Sequence, residues 1–164
     1  QRSGVLMHIS SGAGRVVLPS VGFYCASKFA LEALAEAYSY ELASQGIESV
    51  IVQPGAYETD VFGNTVTAAD ESRTSSYGAA KEIPAKVGAA LSSGAGNAQE
   101  VADVVLRIVE TPAGEKQLRY FVSTQNYGVN DINAVAQKVQ AGVLEALGLA
   151  GYTKFVKGKA VASA

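Results

Sequence analysis

The sequence predicts an α/β protein built on a parallel sheet. Two observations carry that expectation. Short apolar, β-branched runs end in loops of Gly, Ser or Pro, and a long helix-forming stretch separates each run from the next. Strands that alternate with helices form parallel βα units and pack as helical layers on a sheet.

The first run, Gly4-Val5-Leu6-Met7-His8-Ile9-Ser10, is mostly apolar and ends in Ser10-Ser11-Gly12-Ala13-Gly14, so it predicts a buried strand followed by a flexible loop. From Phe23 to about Gln45 there is no glycine or proline, and Ala, Leu and Glu dominate, which predicts a long helix. Gly46 stops it as a left-handed cap would. Ile47 to Val52 is a second strand that ends at the Pro54-Gly55 turn. From Asp60 to Gly96 small and polar residues prevail, with a helix expected around Ala79 to Leu91; this is the natural segment to lie over a site. Asn97-Ala98-Gln99-Glu100 has the spacing of a capping box, with Val101, Val104, Val105 and Ile108 on one face of the helix that follows. That helix ends near Pro112. Gln117 to Val122 is a third strand, and Asn130 or Asp131 is placed to cap a last helix running to about Leu147. The string Ser-Ser-Gly-Ala-Gly recurs at Ser92, but its flanks differ and no internal repeat follows.

Length and composition narrow the function classes. The chain has 164 residues, enough for one domain, and 48% apolar residues, enough for a sizeable core. We expect residues 1–150 to form the folded portion and 151–164 a C-terminal tail. A formal net charge of −2 gives no basic surface for nucleic acid and no electrostatic pull toward a membrane. No stretch is apolar enough to span a bilayer and no signal peptide is visible. Cys25 is the single cysteine, so no internal disulfide can form, which fits a reducing, cytoplasmic setting.

The chemistry concentrates at Tyr24-Cys25-Ala26-Ser27-Lys28. On a helix four residues turn the direction by about 400°, so Tyr24 and Lys28 lie about 40° apart on one face. A free phenol titrates near ~10, and working as a base near neutral pH needs about 4 kcal/mol of preference for phenolate. A cation about 4 Å away, at an effective dielectric of about 20, supplies an interaction of that order. Such a pair can pass a proton to an alkoxide or take one from an alcohol. Ser10 and Ser11 end the first strand, where open parallel sheets place their sites, and a hydroxyl there could hold the substrate oxygen.

The ordered set of Gly4-Val5-Leu6-Met7-His8-Ile9-Ser10-Ser11, then Tyr24-Cys25-Ala26-Ser27-Lys28, then Val52-Gln53-Pro54-Gly55-Ala56-Tyr57-Glu58-Thr59, resembles the short-chain dehydrogenase/reductase family. The close resemblance covers about residues 1 to 63, and a looser one Glu100 to Val122. It implies a Rossmann-like, three-layer αβα fold lacking its first βαβ units. It implies that Ser11 orients the reacting oxygen, that Tyr24 is the general acid/base, and that Lys28 tunes Tyr24 and binds the nicotinamide ribose. Tyr24, Lys28, Pro54, Gly55 and Thr59 would then form the cofactor-binding set. The implied cofactor is NAD or NADP, and the implied substrate a small-molecule alcohol or carbonyl. The family's glycine-rich pyrophosphate loop is not in the sequence, nor is its catalytic asparagine, and Gln1 stands where a methionine would start a chain. We therefore expect the catalytic half of such an enzyme. A half-sheet with an open apolar edge invites pairing, so a homo-oligomer or a strand-supplying partner is expected. The alternative is a catalytically silent half-domain that acts through association.

Other residues have plainer readings. His8 lies in an apolar strand with no second histidine, so it reads as a packed or loosely paired residue, and no metal site is expected. Cys25 reads as a small core residue. A Ser-His-acid hydrolase would need a Gly-x-Ser-x-Gly elbow, which is missing. Glu32, Glu36 and Glu41 read as a solvated face or a helix–helix contact, and Ala30, Ala33 and Ala37 would let a second helix approach. Tyr57, Tyr77, Tyr120 and Tyr127 read as packing residues or loop anchors. Lys154, Lys157 and Lys159 read as a basic, mobile terminus.

Overall fold

A computed structural model describes residues 3–61, 63–66 and 68–157. Gln1, Lys159 and the rest of 158–164 lie outside the described residues. In chain order the elements are β1 (Gly4–Ile9), α1 (Gly22–Glu41), β2 (Ile47–Pro54), α2 (Ile83–Ser93), α3 (Gln99–Glu110), β3 (Arg119–Val122) and α4 (Val129–Ala146). The three strands are all parallel, in the order β1-β2-β3, with Gly4 opposite Ile47 and Ile51 opposite Arg119. Each strand reaches its neighbour through a helix, as the sequence requires of parallel pairing.

β2 is the central strand, and its alternation separates two layers. Val50 and Val52 point to one side and pack with Val104 and Ile108 of α3. Ser49 and Gln53 point to the other side, toward Ala35 of α1 and Asn133 of α4. Helices therefore cover both faces, giving the three-layer αβα arrangement expected. β1 is an edge strand among the described residues, and Val5, Leu6 and Ile9 remain well exposed on it. The sequence predicts a buried strand there; with one neighbour instead of two, it is half covered. Among the described residues no helix is long and apolar enough to cross a membrane.

Several local expectations need correction. Gly46 does end the first helical segment, with φ +75, after a 3₁₀ turn at Ala43–Gln45. The Asn97 side chain, however, accepts only from the Gln99 N–H, at 2.9 Å, and the side chain of Glu100 does not return to Asn97. Its carboxylate accepts from the Tyr57 hydroxyl at 3.2 Å instead. The last helix starts at Val129, with Gly128 (φ +74) before it and neither Asn130 nor Asp131 as a cap. The helix expected at Ala79 to Leu91 begins at Ile83, because Pro84 suits a first turn and a 3₁₀ segment, Thr74–Glu82, occupies the residues before it. The tail is not free at its start: the Val156 N–H donates to the Ala43 carbonyl at 3.0 Å, and Phe155 lies against Gly114.

Candidate active site

The carboxyl ends of β1 and β2 bring most of the singled-out residues together. β1 ends at Ile9, and the turn after it carries Ser11. The Ser11 hydroxyl accepts from the Ala13 N–H at 3.1 Å, which caps a 3₁₀ turn at Gly12–Gly14, and lies 3.4 Å from the Pro54 carbonyl oxygen at the end of β2. The loop is packed more closely than its glycines suggest. Ala13 and Gly14 are buried, and a Cβ on Gly14 would stand 2.8 Å from Ser10 Oγ and 3.0 Å from Glu32 Cγ. The absence of a side chain is what lets this turn press onto α1.

α1 supplies the phenol and the amine. Lys28 Nζ lies 5.7 Å from the centroid of the Tyr24 ring, as one helical turn dictates. The same amine donates to the Ile9 carbonyl at 3.0 Å, so it sits two residues before Ser11 along the chain. Tyr24 is 46% exposed, open to a ligand on its outer side. Lys28 is half-buried and keeps two further N–H donors. Pro54 and Gly55 close the other wall. Gly55 is hemmed in: a Cβ there would fall 2.1 Å from Ser123 Oγ. Thr59 is exposed and lies past Tyr57, at the start of the segment that runs to Gly96. That segment is pinned at its neck, where Tyr57 bridges to Gly96 and the Glu58 N–H donates to the Gly96 carbonyl at 3.0 Å. Burial and the hydrogen bond to Glu100 push the Tyr57 phenol up to about 12, so it stays neutral and structural.

Beneath the site lies a polar cluster that sequence reading missed. Glu32, only 2% exposed, accepts from Arg119 Nε at 2.9 Å and from Gln53 Nε2 at 2.8 Å. Arg119 also pairs with Glu36 at 2.5 Å, and Glu36 accepts from the Tyr40 hydroxyl at 2.6 Å. Burial works to raise the Glu36 carboxyl, but the bonds from Tyr40 and Arg119 outweigh it and leave it below the ordinary value. Glu32 and Glu36 are thus not a solvated face, and only Glu41 is exposed. Their spacing of four residues was visible; Arg119, 87 residues beyond Glu32, was not a visible partner. His8 pairs with Ser49 Oγ at 3.0 Å, and Cys25 is 2% exposed with the Leu18 N–H 3.4 Å from its sulfur, so both are packing residues.

Comparison with known proteins follows the same residues. The family profile described as short chain dehydrogenase matches residues 1–70, the stretch that holds β1, α1, β2 and the turn after it. This chain belongs to the short-chain dehydrogenase/reductase family. An uncharacterized oxidoreductase of Bacillus subtilis, YusZ, is 32% identical over 120 residues, covering 70% of this chain and 41% of that protein. An NADPH-dependent 3-dehydrocapnine reductase of Ornithobacterium rhinotracheale is 35% identical over 75 residues, covering 46% of this chain and 26% of that protein. A short-chain dehydrogenase from Streptomyces avermitilis superposes with a TM-score of 0.54 at 25% identity, over 89% of this chain and 52% of that one. The chain spans less than half the length of these two curated relatives and about half of the superposed structure. The fold is that of the family's Rossmann-like domain over the part present here.

Proposed function

We propose that this chain is the catalytic portion of an NAD(P)-dependent oxidoreductase that interconverts an alcohol and a carbonyl. Ser11 would hold the reacting oxygen by hydrogen bonding. Tyr24 would donate its phenolic proton to the developing alkoxide, or accept one from an alcohol in reverse. Lys28 would favour loss of that proton and bind a ribose diol. The bound nicotinamide would supply or accept the hydride.

The residues present suit the nicotinamide end of such a cofactor. Lys28 spends one donor on the Ile9 carbonyl and keeps two for vicinal hydroxyls, while Gly55 adds no side chain at the end of β2. The observation that carries the reading is the convergence of an amine, a half-exposed phenol and a serine at the carboxyl ends of parallel strands, where such sheets bind ligands. The similarity to a reductase named as NADPH-dependent supports NADPH as the first cofactor to try. The exposed apolar side chains of β1 support the further expectation of a homo-oligomer or a partnering strand.

Calorimetric titration with NADPH and NADH tests the cofactor assignment. Binding of one of them, weakened about tenfold or more by Lys28→Ala, is the expected result, since a charge-assisted hydrogen bond is worth about 1.5–3 kcal/mol. No heat from either cofactor at millimolar concentration would remove the assignment for this chain.

A further inference from the structure

Glu32 is a buried carboxylate for which the proposed chemistry has no use. It lies on the same face of α1 as Tyr24 and Lys28, one turn past the amine. Its contacts reach the turn after β1, the end of β2 and the start of β3. Its Cγ underlies Gly14, in the turn that carries Ser11. One carboxylate oxygen accepts from Gln53, the residue immediately before Pro54, and the other from Arg119 on β3. Gln53 is fully buried and is itself fixed, since Asn133 Nδ2 of α4 donates to its amide oxygen at 2.7 Å.

A buried ion pair is seldom a net source of stability, because desolvation offsets its attraction and apolar side chains of similar volume do as well. What a directional network adds is register: apolar contact between a helix and a sheet tolerates sliding, and hydrogen bonds of fixed length do not. We propose that Glu32 is a positioning residue. With Gln53 it locks α1 against β2, and so holds Tyr24 and Lys28 at a fixed offset from Ser11 and Pro54. The importance of that offset rests on the oxidoreductase reading; the lock itself does not.

The test uses Glu32→Gln, alone and combined with Gln53→Glu. Alone, the new amide must turn its nitrogen toward Gln53 Nε2 or Arg119 Nε, donor against donor. In the double variant that nitrogen donates to the new carboxylate, which still offers an oxygen to Asn133. The readout is acylation of the Lys28 amine relative to exposed Lys86 in the same sample, measured by peptide mass spectrometry. Loss of register frees the amine from the Ile9 carbonyl, and the ratio is expected to rise about fivefold, then return to within about twofold of the parent in the double variant. An unchanged ratio in folded Glu32→Gln overturns the proposal, as does a folded double variant that stays as reactive as the single one. Should Glu32→Gln not fold, Asn133→Ala frees Gln53 while leaving the Arg119 pair intact; a rise of about twofold is expected and no rise overturns it. In turnover assays the same lock predicts a kcat about tenfold lower in Glu32→Gln, with cofactor KM within about threefold and recovery in the double variant. If the parent protein shows no nicotinamide-dependent turnover but the labelling pattern holds, the oxidoreductase reading fails and the lock stands.

Discussion

Gly55→Ala isolates a steric constraint at the site's wall. Gly55 does not have a positive φ, so the backbone itself would accept alanine. The obstacle is Ser123: an added Cβ would stand 2.1 Å from its Oγ, 2.6 Å from its Cβ and 3.4 Å from its Cα. The hydroxyl can rotate away, but the Ser123 Cβ cannot. Restoring 2.6 Å to an ordinary 3.4 Å requires a displacement of 3.4 − 2.6, about 0.8 Å, between the ends of β2 and β3. Those ends are tied by the Gly55 N–H donating to the Val122 carbonyl at 2.8 Å, so the shift strains the last rung of the sheet. Overpacking of this kind costs about 3 kcal/mol. Ser123→Gly alone loses the Gln125 N–H bond to Ser123 Oγ, about 1 kcal/mol. The double variant removes both colliding atoms and leaves the backbone of residue 123 at an ordinary 3.4 Å, so it should cost about 1 kcal/mol, not the sum of about 4. Urea denaturation of the four proteins at constant m measures the coupling. A Gly55→Ala protein within about 0.5 kcal/mol of the parent, or a double variant that costs the full sum, would refute the collision.

Tyr57 gives a pH signature. Its folded pKa, about 12, is raised above the ordinary phenol value, so its contribution is complete below pH about 10 and is lost as pH rises toward 12. Thermal melts between pH 9 and 12 should show the parent losing stability more steeply than Tyr57→Phe; parallel curves would contradict the bond to Glu100. In the core, Ile108 has no exposure and packs with Val50 and Val52, so Ile108→Ala should cost about 2–5 kcal/mol by denaturation, and a cost below 1 would mean that α3 is not seated on this face of the sheet.

Much of the fold was legible because its signals are local. β-branched runs, the glycine-free stretch from Phe23 and the stop at Gly46 each depend on residues within a few positions. Tyr24 and Lys28 share a face because helix geometry alone puts them there. What escaped reading depends on contacts between distant parts of the chain. Glu100 had the spacing of a capping residue, but Tyr57, 43 residues earlier, takes its carboxylate. Glu32 and Glu36 looked like surface charge until Arg119 arrived from β3. Gly12-Ala13-Gly14 looked loose, yet Gly14 serves close packing against α1 and Gly12 faces Phe121 and Val129, which only the folded arrangement reveals. Ser10 and Ser11 were placed near the pair by their position at the end of the first strand, and Lys28 reaches the carbonyl of Ile9, two residues before Ser11.

The whole chemical proposal requires that a phenol one turn before a lysine moves the proton. Steady-state oxidation of NADPH with a carbonyl substrate, parent beside Tyr24→Phe, examines that directly. We expect kcat to fall by about a hundredfold or more while cofactor affinity stays within about threefold, because only the hydroxyl is lost. Equal turnover in the two proteins would contradict it.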